Sequence, residues 1–264
     1  MDAVALEIGG ICTSIQSVHA EVLRLVQARY AGFLSHATPA WRIQVGTRPG
    51  GRTSLVDVVV RGDGEGGRLE LERHDFVATI DLGERWATVA LAEIDEIPLD
   101  SFLRVAFSLI LLEADGLVVH AASLARDGRG YLFPGRSGSG KTTVARLSPE
   151  ARLLSDELSI VRLVERRALC YGTPFWGELA RGGENLAVPM RSIHFLRQSD
   201  RHAVRPLVPR GALAALLPNV VFFARAPDLV ARVFAVAAGL VERVPCFQLS
   251  FRRDPGFWEV VEHA

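Results

Sequence analysis

The chain has 264 residues, enough for one sizeable core or two modest domains, and its 49% apolar content describes an ordinary folded protein, not a disordered one. Thirty Lys plus Arg balance 30 Asp plus Glu, so a broad basic surface for nucleic acid is not expected. No positive segment precedes an apolar run at the N-terminus and no apolar run has the length of a membrane span, so a cytoplasmic chain without a membrane partner is expected.

Residues 1–97 carry no nucleotide motif. Val4-Ala5-Leu6-Glu7-Ile8 reads as a first strand, and Val18, Val22, Leu25, Val26, Tyr30 and Phe33 recur near a 3.6-residue period, which predicts one amphipathic helix over 18–33. Trp41-Arg42-Ile43-Gln44-Val45 alternates as a strand does, residues 54–60 are rich in Val, and residues 62–67 have the glycines of a hairpin tip. Further strands are expected at 68–72, 76–82 and 86–90. Short strands joined by Gly-rich turns predict a small, mostly antiparallel sheet with one helix. It would serve as a substrate-recognition domain, a dimerisation unit, a cover for the catalytic sheet or a plain scaffold.

Pro98 marks the expected boundary to a second domain, 98–264, opening with a largely buried helix over 99–113. Strands at 117–125 and 130–133 predict a hairpin that feeds into Gly135-Arg136-Ser137-Gly138-Ser139-Gly140-Lys141-Thr142. A short helix over 142–147 stops before Pro149, and a strand at 152–155 ends in Asp156-Glu157. Residues 158–163 and 168–171 predict a second hairpin, and the turn-rich segments 172–178 and 180–185 are where substrate contacts are expected. Strands at 192–196, 220–223 and 246–251 and helices at 209–217, 228–243 and 256–261 complete a mixed α/β chain. Cys12, Cys170 and Cys246 are odd in number and far apart, which suits buried residues better than disulfides or a zinc site.

The segment 135–142 fits the phosphate-loop pattern Gly-x-x-x-x-Gly-Lys-[Ser/Thr] in full, between a strand and a helix. Backbone donors from Gly135, Ser137, Gly138, Ser139, Gly140 and Thr143 would cradle phosphates, Lys141 would supply the cation and Thr142 the hydroxyl for Mg²⁺. Asp156 and Glu157 follow Thr142 by 14 and 15 residues at the end of a strand, so they would complete the metal site. That separation is too short for a long helix plus a strand, which favours a compact phosphotransferase over a motor or switch GTPase. An Asn-Lys-x-Asp segment that would read guanine is absent. His120 is placed to tune a general base, Arg181 is the arginine chosen to assist transfer, and Phe175 and Trp176 are adenine-stacking or loop-anchoring residues.

Val119-His120-Ala121-Ala122, the hairpin, the 135–142 loop and Leu154-Ser155-Asp156-Glu157 together resemble the catalytic domain of the HPr kinase/phosphorylase family. More distantly they resemble the phosphoenolpyruvate carboxykinase nucleotide core. The resemblance covers roughly residues 117–165 and implies a P-loop core of that type beside the small N-terminal β-rich domain. It implies Mg²⁺ and ATP as cofactors, Asp156 as general base, Glu157 as the adjacent acid, Thr142 on the metal and His120 supporting the base. It also admits a homo-oligomer, since relatives form hexamers. The family's downstream glycine-rich signature and regulatory domain are not recognisable, so HPr itself is not the expected acceptor. Shorter members phosphorylate other hydroxyls, and a serine-type hydroxyl on a peptide, protein or small molecule is expected here. The alternative is a nucleotide-binding regulator or ATPase acting through a protein partner.

Overall fold

The computed structural model describes residues 2–48, 57–62 and 67–264. The chain divides into two compact units, Met1–Glu113 with Phe222–Arg232, and Ala114–Val221 with Val233–Ala264.

The first unit contains β1 (Asp2–Ile8), β2 (Ile11–Ser17), α1 (Ala20–Arg29), β3 (Trp41–Thr47), β4 (Val59–Arg61), β5 (Arg68–Arg73), β6 (Phe76–Asp81), β7 (Trp86–Leu91) and α2 (Glu96–Ile110). Its seven strands form one sheet in the order β1-β2-β3-β7-β6-β5-β4. Trp41, Ile43 and Val45 are buried while Arg42 and Gln44 are exposed, and Leu69, Leu71, Phe76, Ala78, Ile80, Ala87, Val89 and Leu91 repeat that alternation. One face of the sheet is therefore core. On it, α2 sets Phe102 edge-on to Phe76 with ring centroids 5.8 Å apart. Asp100 of α2 accepts hydrogen bonds from Tyr30 Oη and Arg29 Nη2 at 3.0 Å and from Arg104 Nε at 2.6 Å, so its buried charge is paired on several sides.

Several expectations are corrected here. The strand β2 carries no alternation signal, because Thr13, Ser14 and Ser17 are buried together with Ile11, Cys12 and Ile15. It forms a parallel pair with β3, which is itself parallel to β7, while the remaining pairs are antiparallel. Val18 precedes the helix and is 73% exposed, so it is not part of the apolar stripe. Of the Val-rich run at 54–60, residues 54–56 lie outside the described residues and the strand forms only at its end; of the hairpin tip at 62–67, residues 63–66 lie outside them. The division between units falls after Glu113, not at the expected 97/98 boundary, since α2 packs on the first unit's sheet.

The second unit contains β8 (Gly116–Arg126), β9 (Arg129–Pro134), α3 (Lys141–Arg146), β10 (Arg152–Ser155), β11 (Leu158–Val164), β12 (Arg167–Tyr171), β13 (Ala187–Gln198), β14 (Ala203–Pro206), α4 (Pro209–Leu216), β15 (Cys246–Phe251) and α6 (Phe257–Glu262). The helix α5 (Pro227–Arg243) begins among residues of the first unit. Pairings run from β8 to β11, β12, β13, β9 and back to β8, so these strands close on themselves. Burial follows: Ser159 Oγ at the centre donates to Ala121 O at 2.9 Å and shares a 2.8 Å hydrogen bond with Ser123 Oγ. From that circuit β13 continues into a parallel pair with β15, whose far edge is taken by β14.

Two differences from expectation concern this part of the chain. Residues 220–223 do not form a strand; after a 3₁₀ turn at Leu217–Asn219 only Val220 bridges to Val119 before the chain leaves. The short edge strand β14 was not anticipated, and it ends at Pro206, a residue suited to a sheet edge. Beneath the 135–142 segment, Phe133, Val144, Phe251, Phe257 and Trp258 form a buried cluster. Trp258 Nε1 donates to Ser148 Oγ at 2.8 Å, and Ser148 Oγ donates to Val144 O at 2.7 Å, so the end of α3 is held to the C-terminal helix.

Candidate active site

Strand direction explains where the site lies. The strand β9 is parallel to β13, which is parallel to β15, while β10 and β9 each run antiparallel to β8 and so share one direction. The C-terminal ends of β9, β10, β13 and β15 thus point the same way, and in sheets of parallel strands that is where ligands sit. A cavity of about 320 Å³ opens there, lined among others by His120, Lys141, Thr142, Asp156, Glu157 and Arg253.

The loop after β9 is held by its own backbone and by β13. Gly138 and Gly140 have φ of 78° and 108°, values that favour glycine, and Ser139 N donates to Arg136 O at 3.1 Å. Gln198 Nε2 at the end of β13 donates to Gly138 O at 2.7 Å. Lys141 Nζ folds back on the loop, donating to Gly135 O at 3.0 Å and Arg136 O at 3.3 Å. Burial lowers the Lys141 pKa, while Glu157, Glu178 and Asp156 act in the opposite sense. Ser139 Oγ is buried without a hydrogen-bond partner, a polar atom turned inward in a loop rich in donors.

On the other side, β10 and β11 follow one another along the same edge of β8. Ser155 pairs with Ser123 and Leu158 with His120, so Asp156 and Glu157 occupy the interruption, where Ala121 N still donates to Glu157 O at 2.9 Å. Such interruptions redirect side chains at the margin of a sheet. Asp156 is 2% exposed, and its Oδ1 and Oδ2 accept hydrogen bonds from Gly177 N at 2.9 Å and Leu179 N at 2.8 Å. Glu157 is half-buried and lines the cavity. The His120 pKa is lowered, first by burial and then by Lys141, against an opposing influence of Glu157, which leaves the imidazole neutral at pH 7.

The segment 172–186 is laid along β10 by backbone hydrogen bonds from Thr173 N to Leu154 O at 2.9 Å and from Glu184 N to Leu153 O at 2.8 Å. It passes so close that a Cβ on Gly183 would lie 1.8 Å from Leu154 O.

The family model of the SynChlorMet cassette protein ScmC matches residues 101–264. The chain belongs to the ScmC family. The matched span of this ScmC-family chain includes every residue that lines the cavity. No curated protein matches it by sequence. Among solved structures it has a distant similarity to the Hpr(Ser) kinase/phosphatase from Coxiella burnetii, with 11% identity, a TM-score of 0.32, and coverage of 55% of this chain and 94% of that chain. Among the described residues no helix is long and apolar enough to cross a membrane.

Of the residues singled out in the ScmC-family sequence, His120, Ser137, Gly138, Gly140, Lys141, Thr142, Thr143, Asp156 and Glu157 come together around the cavity, while Gly135 and Ser139 of the same loop do not line it. Arg181 does not line it; that residue is exposed within the 172–186 segment. Phe175 is 1% exposed and neither it nor Trp176 lines the cavity, so loop anchoring fits them better than base stacking. Sequence reasoning missed Gln198, Ser199, Phe251, Arg252 and Arg253, which reach the cavity from the ends of β13 and β15. No motif marks them. The signal lies in the parallel pairing with β9, which a linear pattern does not reveal.

Proposed function

We propose that this ScmC-family chain is a phosphotransferase that moves the γ-phosphoryl group of Mg-ATP to a hydroxyl on a peptide, protein or small molecule. The observation that carries this reading is the convergence of the Gly-rich loop with Lys141 and Thr142 and the acidic pair Asp156-Glu157 on one cavity. Phosphoryl transfer asks a protein mainly for positioning and charge, and these are the residue types it uses.

Lys141 would exchange the carbonyls of Gly135 and Arg136 for phosphate oxygens, and the loop amides would fix the chain of phosphates in line with the acceptor. No group of three or more His, Cys, Asp or Glu side chains among the described residues is arranged to hold a metal. Thr142 and one carboxylate of the acidic pair would hold a Mg²⁺ that draws its other ligands from phosphate and water. When bound, that ion offsets charge on the transferring group. The acceptor hydroxyl passes its proton to a carboxylate of the pair as its oxygen bonds to phosphorus and the bridging oxygen leaves with the nucleoside diphosphate. Neutral His120 beside Glu157 adds no cationic charge that would hold that carboxylate back from accepting a proton.

A phosphate-accounting assay tests the reading. Purified protein, Mg²⁺ and γ-labelled ATP are incubated with free serine, serine-bearing peptides and HPr. Label on an acceptor is expected. Label released only as free phosphate overturns transfer in favour of an ATPase or regulator, and absence of nucleotide binding overturns both.

A further inference from the structure

The two acids after β10 are unlike in their surroundings, and this divides the labour between them. Asp156 is 2% exposed, and both its carboxylate oxygens already accept backbone N–H groups, from Gly177 and Leu179. A carboxylate so placed is acting as a cap on a turn, because two short charge-assisted hydrogen bonds satisfy it where water does not reach. Glu157, the next residue, lines the same cavity as Asp156, Lys141 and His120 but is only half-buried. The backbone of Gly177 runs directly against it, since a Cβ on Gly177 would lie 2.9 Å from both Cβ and Oε2 of Glu157. The turn that Asp156 holds is therefore the wall against which Glu157 rests.

Resting on the phosphotransferase reading above, we infer that Asp156 is a positioning residue that fixes the 177–179 turn, and that Glu157 is the carboxylate that meets the acceptor hydroxyl. This moves to Glu157 the general-base role that the family resemblance implies for Asp156. The same turn carries Glu178, which also lines the cavity, so anchoring it sets one side of the acceptor's entrance.

The experiment compares Asp156→Asn, Glu157→Gln and Leu179→Pro with the unaltered chain. Amide hydrogen exchange is followed at residues 176–180, and kcat and KM for the acceptor are measured separately. In Asp156→Asn the new amide nitrogen cannot accept from a backbone N–H. Exchange at Gly177 and Leu179 should rise about ten- to a hundredfold, the equivalent of losing one charged hydrogen bond. Acceptor KM should rise more than kcat falls. Leu179→Pro, which removes the donor and leaves both acids intact, should copy that KM effect. Glu157→Gln should leave exchange unchanged and lower kcat about 10²–10⁴-fold, as loss of a general base does. Unchanged exchange in Asp156→Asn, or a fall in kcat confined to that variant, overturns the division of roles. The exchange readout needs no substrate, so it stands even where the assay above finds no transfer.

Discussion

The ring of Phe251, the last residue of β15, occupies the space beside Gly140 in the loop after β9: a Cβ at position 140 would stand 2.6 Å from Phe251 Cζ. Residues 111 positions apart thus shape the same turn, and φ of 108° at Gly140 adds a second reason for the missing side chain.

Gly140→Ala should therefore both strain the backbone, at a cost of about 1–3 kcal/mol, and displace Phe251. Gly138 also has a positive φ, 78°, but nothing lies within 4 Å of a Cβ built there. Calorimetric titration with ATP should show a larger loss of affinity for Gly140→Ala than for Gly138→Ala. Equal losses would mean that the contact with Phe251 is immaterial.

Arg253 lines the cavity and makes no ion pair among the described residues, whereas Arg252 is tied to Asp254. Arg253→Ala should weaken ATP binding about tenfold or more, in keeping with one charged hydrogen bond. Arg181→Ala, a change at an exposed residue that does not line the cavity, should stay within about 0.5 kcal/mol of the unaltered affinity. The reverse ranking in the same titration would restore Arg181 as the assisting arginine.

His194 is fully buried between Phe133 and Phe247, with centroids 5.6 and 5.2 Å from its own, and it shares a 2.8 Å hydrogen bond with Ser192 Oγ. Burial pushes its pKa down to about 3, so the folded chain holds it neutral while the unfolded chain protonates it near 6.5. Its contribution to stability is complete above about pH 6.5 and is lost as the pH falls toward 3. Thermal melts from pH 7.5 to 4.5 should show a steeper decline for the unaltered chain than for His194→Phe. Parallel declines would assign acid sensitivity to other groups.

Much of the fold was legible because it rests on local pattern. The alternation in β3 and the Gly-rich run before Lys141 are short-range signals, and so is the acidic pair closing β10. Local pattern failed where burial is two-sided, as in β2, or where an apolar run lacks a partner strand, as at 220–223. It failed at the site for a different reason. Arg181 stands out in sequence because it lies in a Gly-rich loop, but that loop is laid along β10 by Thr173 N and Glu184 N, and Arg181 is exposed and does not line the cavity.

By itself the sequence determined the chemistry on offer: a loop able to turn only because Gly138 and Gly140 lack side chains, a lysine and a threonine after it, and two adjacent acids. The tertiary structure alone decided which groups share a cavity. Parallel pairing of β9, β13 and β15 brings Gln198, Phe251 and Arg253 to the loop from far along the chain. At the interruption between β10 and β11, Asp156 and Glu157 both reach the cavity, and Asp156 also accepts two backbone amides. Residue type sets what a side chain can do, but strand direction and burial set what it faces, and those arise only when distant segments pair.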